Sequence, residues 1–199
     1  MVAVAMTGGI AVGKTVMMAY WNAQFDIPIF DTDDIGRSLL KQDMVKNELL
    51  NLFGKEVFLA NGDIDRVAIQ GRIFTHAKER DALESILHPL IRQESQALID
   101  QFSKKYPYCI VIVPLLFETK TADSYERVCV VESALDQRIR RCFDRGLSES
   151  VTLAILHAQA TSEQRLSIAD DVLYNVKDFG FFYTQIDQLF KRYDEMFSV

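Results

Sequence analysis

Residues 8–15 read Gly-Gly-Ile-Ala-Val-Gly-Lys-Thr and satisfy every required position of the pattern G-x-x-x-x-G-K-[ST]. Glycines let such a backbone curl so that successive N–H groups point at phosphate oxygens, and a following helix directs the positive end of its dipole to the same place. The pattern requires a buried strand before it and a helix after it. The apolar run 2–6 and the segment 16–24 meet both requirements, so a chance match in a glycine-containing turn is the weaker interpretation.

This predicted loop, called the P-loop below, is expected to bind the phosphates of ATP. The side chain of Lys14 is expected to reach the β- and γ-phosphates, and the hydroxyl of Thr15 is expected to bind Mg²⁺. The residues expected to contact the nucleotide in this segment are Gly8, Gly9, Ile10, Ala11, Val12, Gly13, Lys14, Thr15 and Val16.

Three further short runs, 26–30, 108–113 and 127–131, have the apolar and β-branched composition of buried strands. Segments with helical spacing lie between and after them, which is the alternation of an α/β domain. We therefore predict a parallel sheet of the P-loop NTPase type flanked by helices. The stretch 38–104 has no convincing strand, and it is predicted to be a helical insertion that carries substrate contacts.

Two local patterns refine this outline. Pro89 lies inside an apolar helical rhythm and is expected to break or kink the helix at His88. The spacing of Thr161 and Gln164 matches a capping box, so a new helix is expected after Ala160. The chain shows no internal repeat or linker, so one domain with an insert is the simplest interpretation.

Charge and cysteine content argue against several classes of protein. The formal net charge of −6 disfavours a protein that binds nucleic acid by neutralising many phosphates. The three cysteines form no CxxC pair and are interpreted as the reduced thiols of a cytoplasmic protein. The first residues lack the pattern of a signal peptide, and no stretch is long enough to span a bilayer, so no membrane partner is expected. The histidines have no metal-ligand spacing.

The class of P-loop protein follows by elimination. A GTPase needs a base-reading N-K-x-D motif, and the segment 175–178 has these residues in the wrong order. DNA-dependent ATPases are disfavoured by the size and charge of the chain. The remaining class is the small-molecule kinases, in which one short chain binds a nucleotide and an acceptor hydroxyl.

An acidic segment, Asp31-Thr32-Asp33-Asp34, follows the second predicted strand and is itself followed by Arg37. Ligands of open α/β sheets bind at the carboxyl ends of the strands, so these acids are expected beside the P-loop. Asp33 is interpreted as a carboxylate that accepts the proton of an attacking hydroxyl or helps to hold Mg²⁺. Helix capping by one of these acids is the alternative.

A basic run follows the fourth predicted strand, on a helix expected to begin near Leu135. Such a run is usually a solvated helix face. In small kinases, however, a mobile lid carries arginines that cover the transferring phosphoryl group, because the planar guanidinium grips phosphate through two hydrogen bonds. Both interpretations stay open for Arg138, Arg140, Arg141 and Arg145.

Taken in order over nearly the whole chain, the motifs resemble those of the dephospho-CoA kinase family. Seven segments of the chain match the family's patterns in order. They are T-G-G-I-x-x-G-K-[ST] at 7–15, D-A-D-x-x-x-R at 31–37, H-P-x-I-R at 88–92, V-P-L-L-x-E at 113–118, a lid helix at 137–140, A-Q…R at 158–165 and A-D-x-V-[IL]-x-N at 169–175. The P-loop alone is shared by many families, whereas this ordered set is far more specific.

The resemblance implies a nucleotide-binding core at 1–37, 105–134 and 157–199, a helical CoA-binding insert at 38–104, and a lid at 135–156. It also implies transfer of the ATP γ-phosphoryl group to the ribose 3′-hydroxyl of dephospho-CoA. The implied catalytic residues are Asp33 as general base, Lys14 and Arg140 as charge stabilisers, and Thr15 as the magnesium ligand.

Further residues are implied at the two binding sites. Gln159, Arg165 and Asn175 are expected near the nucleotide. The residues expected near the acceptor are Asp33, Arg37, His88, Arg92 and Glu118. His88 as the cap of a helix kink and Glu118 as a helix cap are the alternatives.

The chain departs from the family pattern at two places. Val12 replaces a small polar residue of the P-loop, with little expected effect because the loop works through its backbone N–H groups. Asp144-Arg145 replaces the Arg-Asp pair of the family lid, which puts a carboxylate where a phosphate-facing arginine is expected. Arg141 or Arg145 would be the substitute.

Two rival functions remain open. One is another small P-loop kinase with a different acceptor, and the other is a regulatory ATP-binding protein that changes conformation without turnover. Acceptor-dependent release of ADP separates them. We expect a monomer or a weak homo-oligomer whose partners are the small molecules ATP and dephospho-CoA, with no nucleic acid.

Overall fold

A computed structural model of the chain describes residues 1–198, with the backbone alone at residues 74 and 75. Its centre is a five-stranded sheet in which every neighbouring pair of strands is parallel. The strands are β1 (Val2–Thr7), β2 (Ile29–Asp31), β3 (Tyr108–Ile112), β4 (Arg127–Glu132) and β5 (Asp171–Tyr174). Their order across the sheet is β2-β3-β1-β4-β5, so β1 and its loop lie at the centre. The predicted fold class is confirmed.

Helices connect the strands. They are α1 (Lys14–Gln24), α2 (Thr32–Leu39), α3 (Asp43–Phe53), α4 (Arg66–Thr75), α5 (Ala77–Phe102), α6 (Leu135–Asp144), α7 (Glu149–Ala158), α8 (Ser162–Leu166) and α9 (Phe179–Phe197), with 3₁₀ turns at Lys55–Val57 and Ala122–Ser124. The helices α2 to α5 lie between β2 and β3 in the sequence. In the part of the chain described here, no helix is both long and apolar enough to cross a membrane.

The chain forms two compact units. The first unit contains Met1–Asp31 and the part of the chain that begins at Ile99, and it holds the whole sheet. Side chains alternate along β1, so Val4 and Met6 join the core on one face while Ala5 joins the core on the other. Trp21 of α1 and Phe182 of α9 are fully buried in the first of these cores.

The second unit is the helical segment Thr32–Leu98. Its own core is built by apolar side chains of α2, α3, α4 and α5, among them Leu39, Leu49, Phe53 and Leu83. The predicted insert was given the bounds 38–104, whereas the compact unit begins at Thr32 and ends at Leu98. The unit therefore includes α2, with its acidic residues.

The predicted strands agree with β1, β3 and β4 to within a residue at their ends. The strand predicted at 26–30 is instead Ile29–Asp31. Pro28 has no N–H to donate to the ladder, and its carbonyl oxygen accepts a bond of 2.9 Å from Ile110 N just before pairing begins. The strand β5 was not predicted, since its four residues are too few to give a clear pattern.

A break or a kink was expected at His88, before Pro89; the break is wrong, and the kink stays a prediction. The helix α5 continues from Ala77 to Phe102 with Pro89 inside it. Proline in a helix interior removes one backbone hydrogen bond and costs about 3 kcal/mol. Apolar side chains before and after it, including Leu83, Leu87 and Leu90, pack in the core of the second unit and offset that cost. The expected capping box at Thr161 and Gln164 is confirmed at the start of α8.

Candidate active site

The P-loop connects the carboxyl end of β1 to the first turn of α1. Gly13, at the N-cap of α1, has a φ of 114°, a value that side-chain-bearing residues rarely adopt. A β-carbon at Gly13 would also lie 2.3 Å from Asn175 Nδ2. Backbone conformation and space therefore both require glycine here.

The carbonyl groups of the P-loop are held by side chains. Lys14 Nζ donates to the carbonyl oxygens of Gly8 and Gly9, the latter at 2.9 Å. Asn175 Nδ2 donates to Val12 O at 2.9 Å. When its carbonyls are bonded in this way, a curled loop keeps most of its N–H groups for an anion. This arrangement is the geometry expected of a phosphate-binding loop.

Two arginines of α6 bind the remaining carbonyls of the loop. Arg138 Nε donates to Ile10 O at 3.0 Å, and Arg141 Nη1 donates to Ala11 O at 3.1 Å. Residues 138 and 141 lie three positions apart and share the helix face that carries the buried Cys142. The helix predicted as the lid therefore contacts the P-loop along this face.

The other two arginines of the basic run, Arg140 and Arg145, are exposed. Sequence reasoning selected Arg140 for catalysis and did not select Arg138. The available signal was the spacing of Arg138 and Cys142. Residues four positions apart on a helix share a face, and a small apolar residue such as Cys142 is expected on the buried face. Asp144, the departure from the family pattern, is also exposed.

Burial lowers the pKa of both loop-facing guanidinium groups. For Arg138 the loss of solvent is the largest cause, and the positive charge of Arg165 adds to it. For Arg141 the loss of solvent is again the largest cause, followed by the charge of Arg145. An anion bound in the loop would compensate these charges.

The predicted nucleotide residues Gln159, Arg165 and Asn175 lie around the P-loop. Gln159 Oε1 accepts a hydrogen bond of 2.8 Å from Ile10 N. Arg165 lies beside Gly9, since a β-carbon there would be 3.2 Å from its Nη2. The structure thus gathers residues more than a hundred positions from the loop in sequence.

A buried ion pair supports this region. Arg165 Nε and Nη2 donate to Glu132 Oε1 at 3.0 and 2.9 Å, and both side chains are nearly inaccessible to solvent. Glu132 is the last residue of β4, at the carboxyl edge of the sheet. Sequence reasoning missed Glu132, because an acid at the end of a strand has no distinctive spacing.

Glu118, predicted near the acceptor, contacts the segment between α7 and α8. Its Oε1 accepts a hydrogen bond of 2.7 Å from Ala160 N. Ala160 follows Gln159, whose side chain accepts a hydrogen bond from the P-loop. This contact fixes the backbone beside Gln159. The acceptor role of Glu118 remains a prediction.

The remaining predicted residues, Asp33, Arg37, His88 and Arg92, belong to the second unit. Asp33 lies in the first turn of α2, where an acid is stabilised by the helix dipole, and Arg37 forms an ion pair with Asp34. His88 and Arg92 lie one helical turn apart on α5. At Gly36, a β-carbon would lie 3.4 Å from Ile91 Cδ1, so α2 and α5 are in contact close to these residues.

The chemistry of the residues fits a magnesium ion bound with nucleotide. Thr15 follows the P-loop lysine and is exposed at the start of α1. Among the residues with described side chains, no three His, Cys, Asp or Glu groups cluster as a metal site. Magnesium in phosphoryl-transfer enzymes is held by few protein ligands together with phosphate oxygens and water, so a hydroxyl donor suffices.

Comparison with known proteins identifies the family. Residues 2–179 match the family model described as dephospho-CoA kinase. The chain belongs to the dephospho-CoA kinase family. It is 34% identical over 192 residues to a dephospho-CoA kinase of Vibrio vulnificus, covering 96% of this chain and 94% of the relative. It is 36% identical over 193 residues to one of Aromatoleum aromaticum, covering 96% and 93%.

The fold also matches a solved member of this family. The structure of dephospho-CoA kinase from Campylobacter jejuni superposes with a TM-score of 0.73 at 21% identity and covers 97% of both chains. At that identity the match supports the fold alone, which is the parallel sheet with flanking helices described above. The resemblance inferred from the ordered motifs is confirmed.

Proposed function

We propose that the chain catalyses the reaction of its family, transfer of the γ-phosphoryl group of ATP to the ribose 3′-hydroxyl of dephospho-CoA, giving coenzyme A and ADP. The observation that carries the proposal is the set of side chains that bind the P-loop carbonyls between Gly8 and Val12. That set supports binding of a polyphosphate, and family membership supports the identity of the acceptor.

In the proposed reaction the 3′-hydroxyl oxygen attacks the γ-phosphorus. The bond from that phosphorus to the oxygen bridging the β- and γ-phosphates breaks, and ADP leaves with the electron pair. Asp33 takes the proton of the hydroxyl as general base. It lies in the first turn of α2, where the helix dipole favours a negative charge.

Positive charge is the second contribution of the protein. Lys14 and Arg140 are proposed to neutralise charge that develops on the phosphoryl oxygens. Lys14 Nζ donates hydrogen bonds to the loop carbonyls of Gly8 and Gly9, so its ammonium group lies at the P-loop. Thr15 would hold Mg²⁺, which supplies further neutralisation of phosphate charge when bound.

Acceptor binding is assigned to four side chains. We propose that Arg37, His88, Arg92 and Glu118 contact dephospho-CoA. The two arginines suit the phosphate groups of that molecule because guanidinium groups bind phosphate with charge-assisted hydrogen bonds. A cytoplasmic location is part of the proposal, supported by the three free cysteines.

The experiment is to mix purified protein with Mg-ATP and dephospho-CoA and to follow ADP and coenzyme A together. Acceptor-dependent formation of both, in equal amounts, supports the proposal. A reaction without acceptor serves as the control for ATP hydrolysis. ATP binding without acceptor-dependent turnover would contradict the proposed acceptor, and a panel of other hydroxyl compounds would then separate a different kinase from a non-catalytic switch.

A further inference from the structure

Arg138 and Arg141 both reach the P-loop, but they use their donors differently. Arg141 bonds through Nη1 to Ala11 O, Val12 O and Ser133 Oγ and through Nη2 to Asn175 O. Arg138 makes one hydrogen bond, from Nε to Ile10 O. Its two terminal nitrogens donate to none of the residues that the structure describes. Arg141 therefore holds the loop, whereas Arg138 keeps donors for a ligand.

The guanidinium of Arg138 lies directly against the P-loop. A β-carbon at Gly9 would be 2.3 Å from Arg138 Nη2 and 2.9 Å from its Cζ. The φ of Gly9 is not in the left-handed region, so a side chain at this position would be opposed by the guanidinium of Arg138 and not by the backbone conformation. The absence of a side chain at Gly9 is what admits the arginine.

The charge of Arg138 is poorly compensated by the protein. The residue is only 7% exposed, and the positive charge of Arg165 lowers its pKa further. Glu132 is the carboxylate that favours its charge, yet both hydrogen bonds to Glu132 come from Arg165. A buried cation without its own anion is costly to the folded protein. That cost is expected where an anion from a ligand completes the site.

We infer that Arg138 is a binding residue for the terminal phosphates of ATP in the P-loop. The inference rests on the proposed use of ATP. On binding, Nη1 and Nη2 donate to phosphoryl oxygens while Nε remains on Ile10 O, so the same side chain positions the loop and compensates the ligand's charge.

The test measures the affinity of the protein for ATP, ADP and AMP by calorimetry, without acceptor. Arg138→Met should weaken ATP binding roughly tenfold to a hundredfold, the effect of losing one or two charge-assisted hydrogen bonds. ADP binding should fall less and AMP binding least, and Arg138→Lys should restore part of the ATP affinity. Lys191→Met, which removes one exposed charge from α9, is the matched control and should bind all three nucleotides as the wild type does.

Gly9→Ala gives an independent variant in case Arg138→Met folds poorly. It should displace the guanidinium and produce the same ATP-selective loss. Because both changes act on one contact, the double variant should lose little more than either single variant.

The outcomes separate this inference from the proposed function. Unchanged ATP affinity in Arg138→Met, or an equal loss for all three nucleotides with a lower melting temperature, overturns the inference and leaves the kinase assignment intact. ATP-selective loss in a protein that does not phosphorylate dephospho-CoA supports the inference and overturns the acceptor.

Discussion

Asn175 Nδ2 donates a 2.9 Å hydrogen bond to the carbonyl oxygen of Val12, across 163 positions of sequence. Asn175→Asp would place an oxygen against that carbonyl, so the loop should lose its shape. Leaving a buried group unsatisfied costs about 1 to 3 kcal/mol. We expect weaker ATP binding with dephospho-CoA binding retained, measured by calorimetry with each ligand separately. Normal ATP affinity in a folded variant would show that this bond does not shape the loop.

Asp33→Asn tests the proposed general base. The amide cannot accept the hydroxyl proton, so turnover should fall by roughly 10²- to 10⁴-fold, the usual contribution of a general base. ATP affinity should change little, because the substitution removes the proton acceptor and leaves the residues of the P-loop unchanged. Single-turnover kinetics with saturating ATP measures the effect. Near-normal turnover would remove Asp33 from this role.

Glu132→Gln tests the buried ion pair with Arg165. The substitution leaves the guanidinium buried without a carboxylate, and breaking a buried pair on one side typically costs about 3 to 5 kcal/mol. Urea unfolding should report this loss of stability. Glu126→Gln is the matched control, since Glu126 is exposed and lies just before the same strand; its stability should equal that of the wild type. Equal effects of the two changes would argue against the pair as a stabilising element.

Pro89→Ala should stabilise the second unit. Alanine restores a backbone donor in the middle of α5, and the gain of about 3 kcal/mol is reduced by about 1 kcal/mol because proline also restricts the unfolded chain. We expect a net increase of about 2 kcal/mol in urea unfolding, with Gln93→Ala on the exposed side of the same helix as control. Lower stability in Pro89→Ala would mean that the helix is shaped to require proline.

Stability should fall at alkaline pH because of a buried thiol. Burial raises the pKa of Cys109 to about 12. The unfolded thiol ionises near pH 8.5 while the folded one stays protonated, so unfolding releases a proton and stability falls as pH rises from that value towards 12. The slope is about 1.4 kcal/mol per pH unit for one thiol. Cys109→Ala should have a shallower decline between pH 8.5 and 10 in urea titrations; an identical decline would contradict the assignment.

The elements that sequence predicted well are those whose residues carry a strong local pattern. The strand β1 is wholly apolar, the P-loop has fixed spacing, and the capping box at Thr161 depends on residues three positions apart. The strand β5 and the continuation of α5 through Pro89 depend instead on packing against distant residues, which a local pattern does not contain.

The candidate site divides in the same way. Lys14 and Asn175 were found through motifs, and the structure gives each a contact with the loop backbone. Arg138 was passed over in favour of Arg140, because motif matching does not report which face of a helix points inward. Glu132 was missed because its role is to form an ion pair with Arg165, and the two residues are brought together only by folding.

The conformation of the P-loop depends on residues outside the loop itself. The side chains that fix its carbonyls at Ile10 and Val12 come from positions 128 and 163 residues away. A synthetic peptide carrying only the glycine-rich segment would therefore lack most of the side chains that orient its amide groups. Transplanting this nucleotide site into another scaffold would require moving a helix face and a strand end along with the loop.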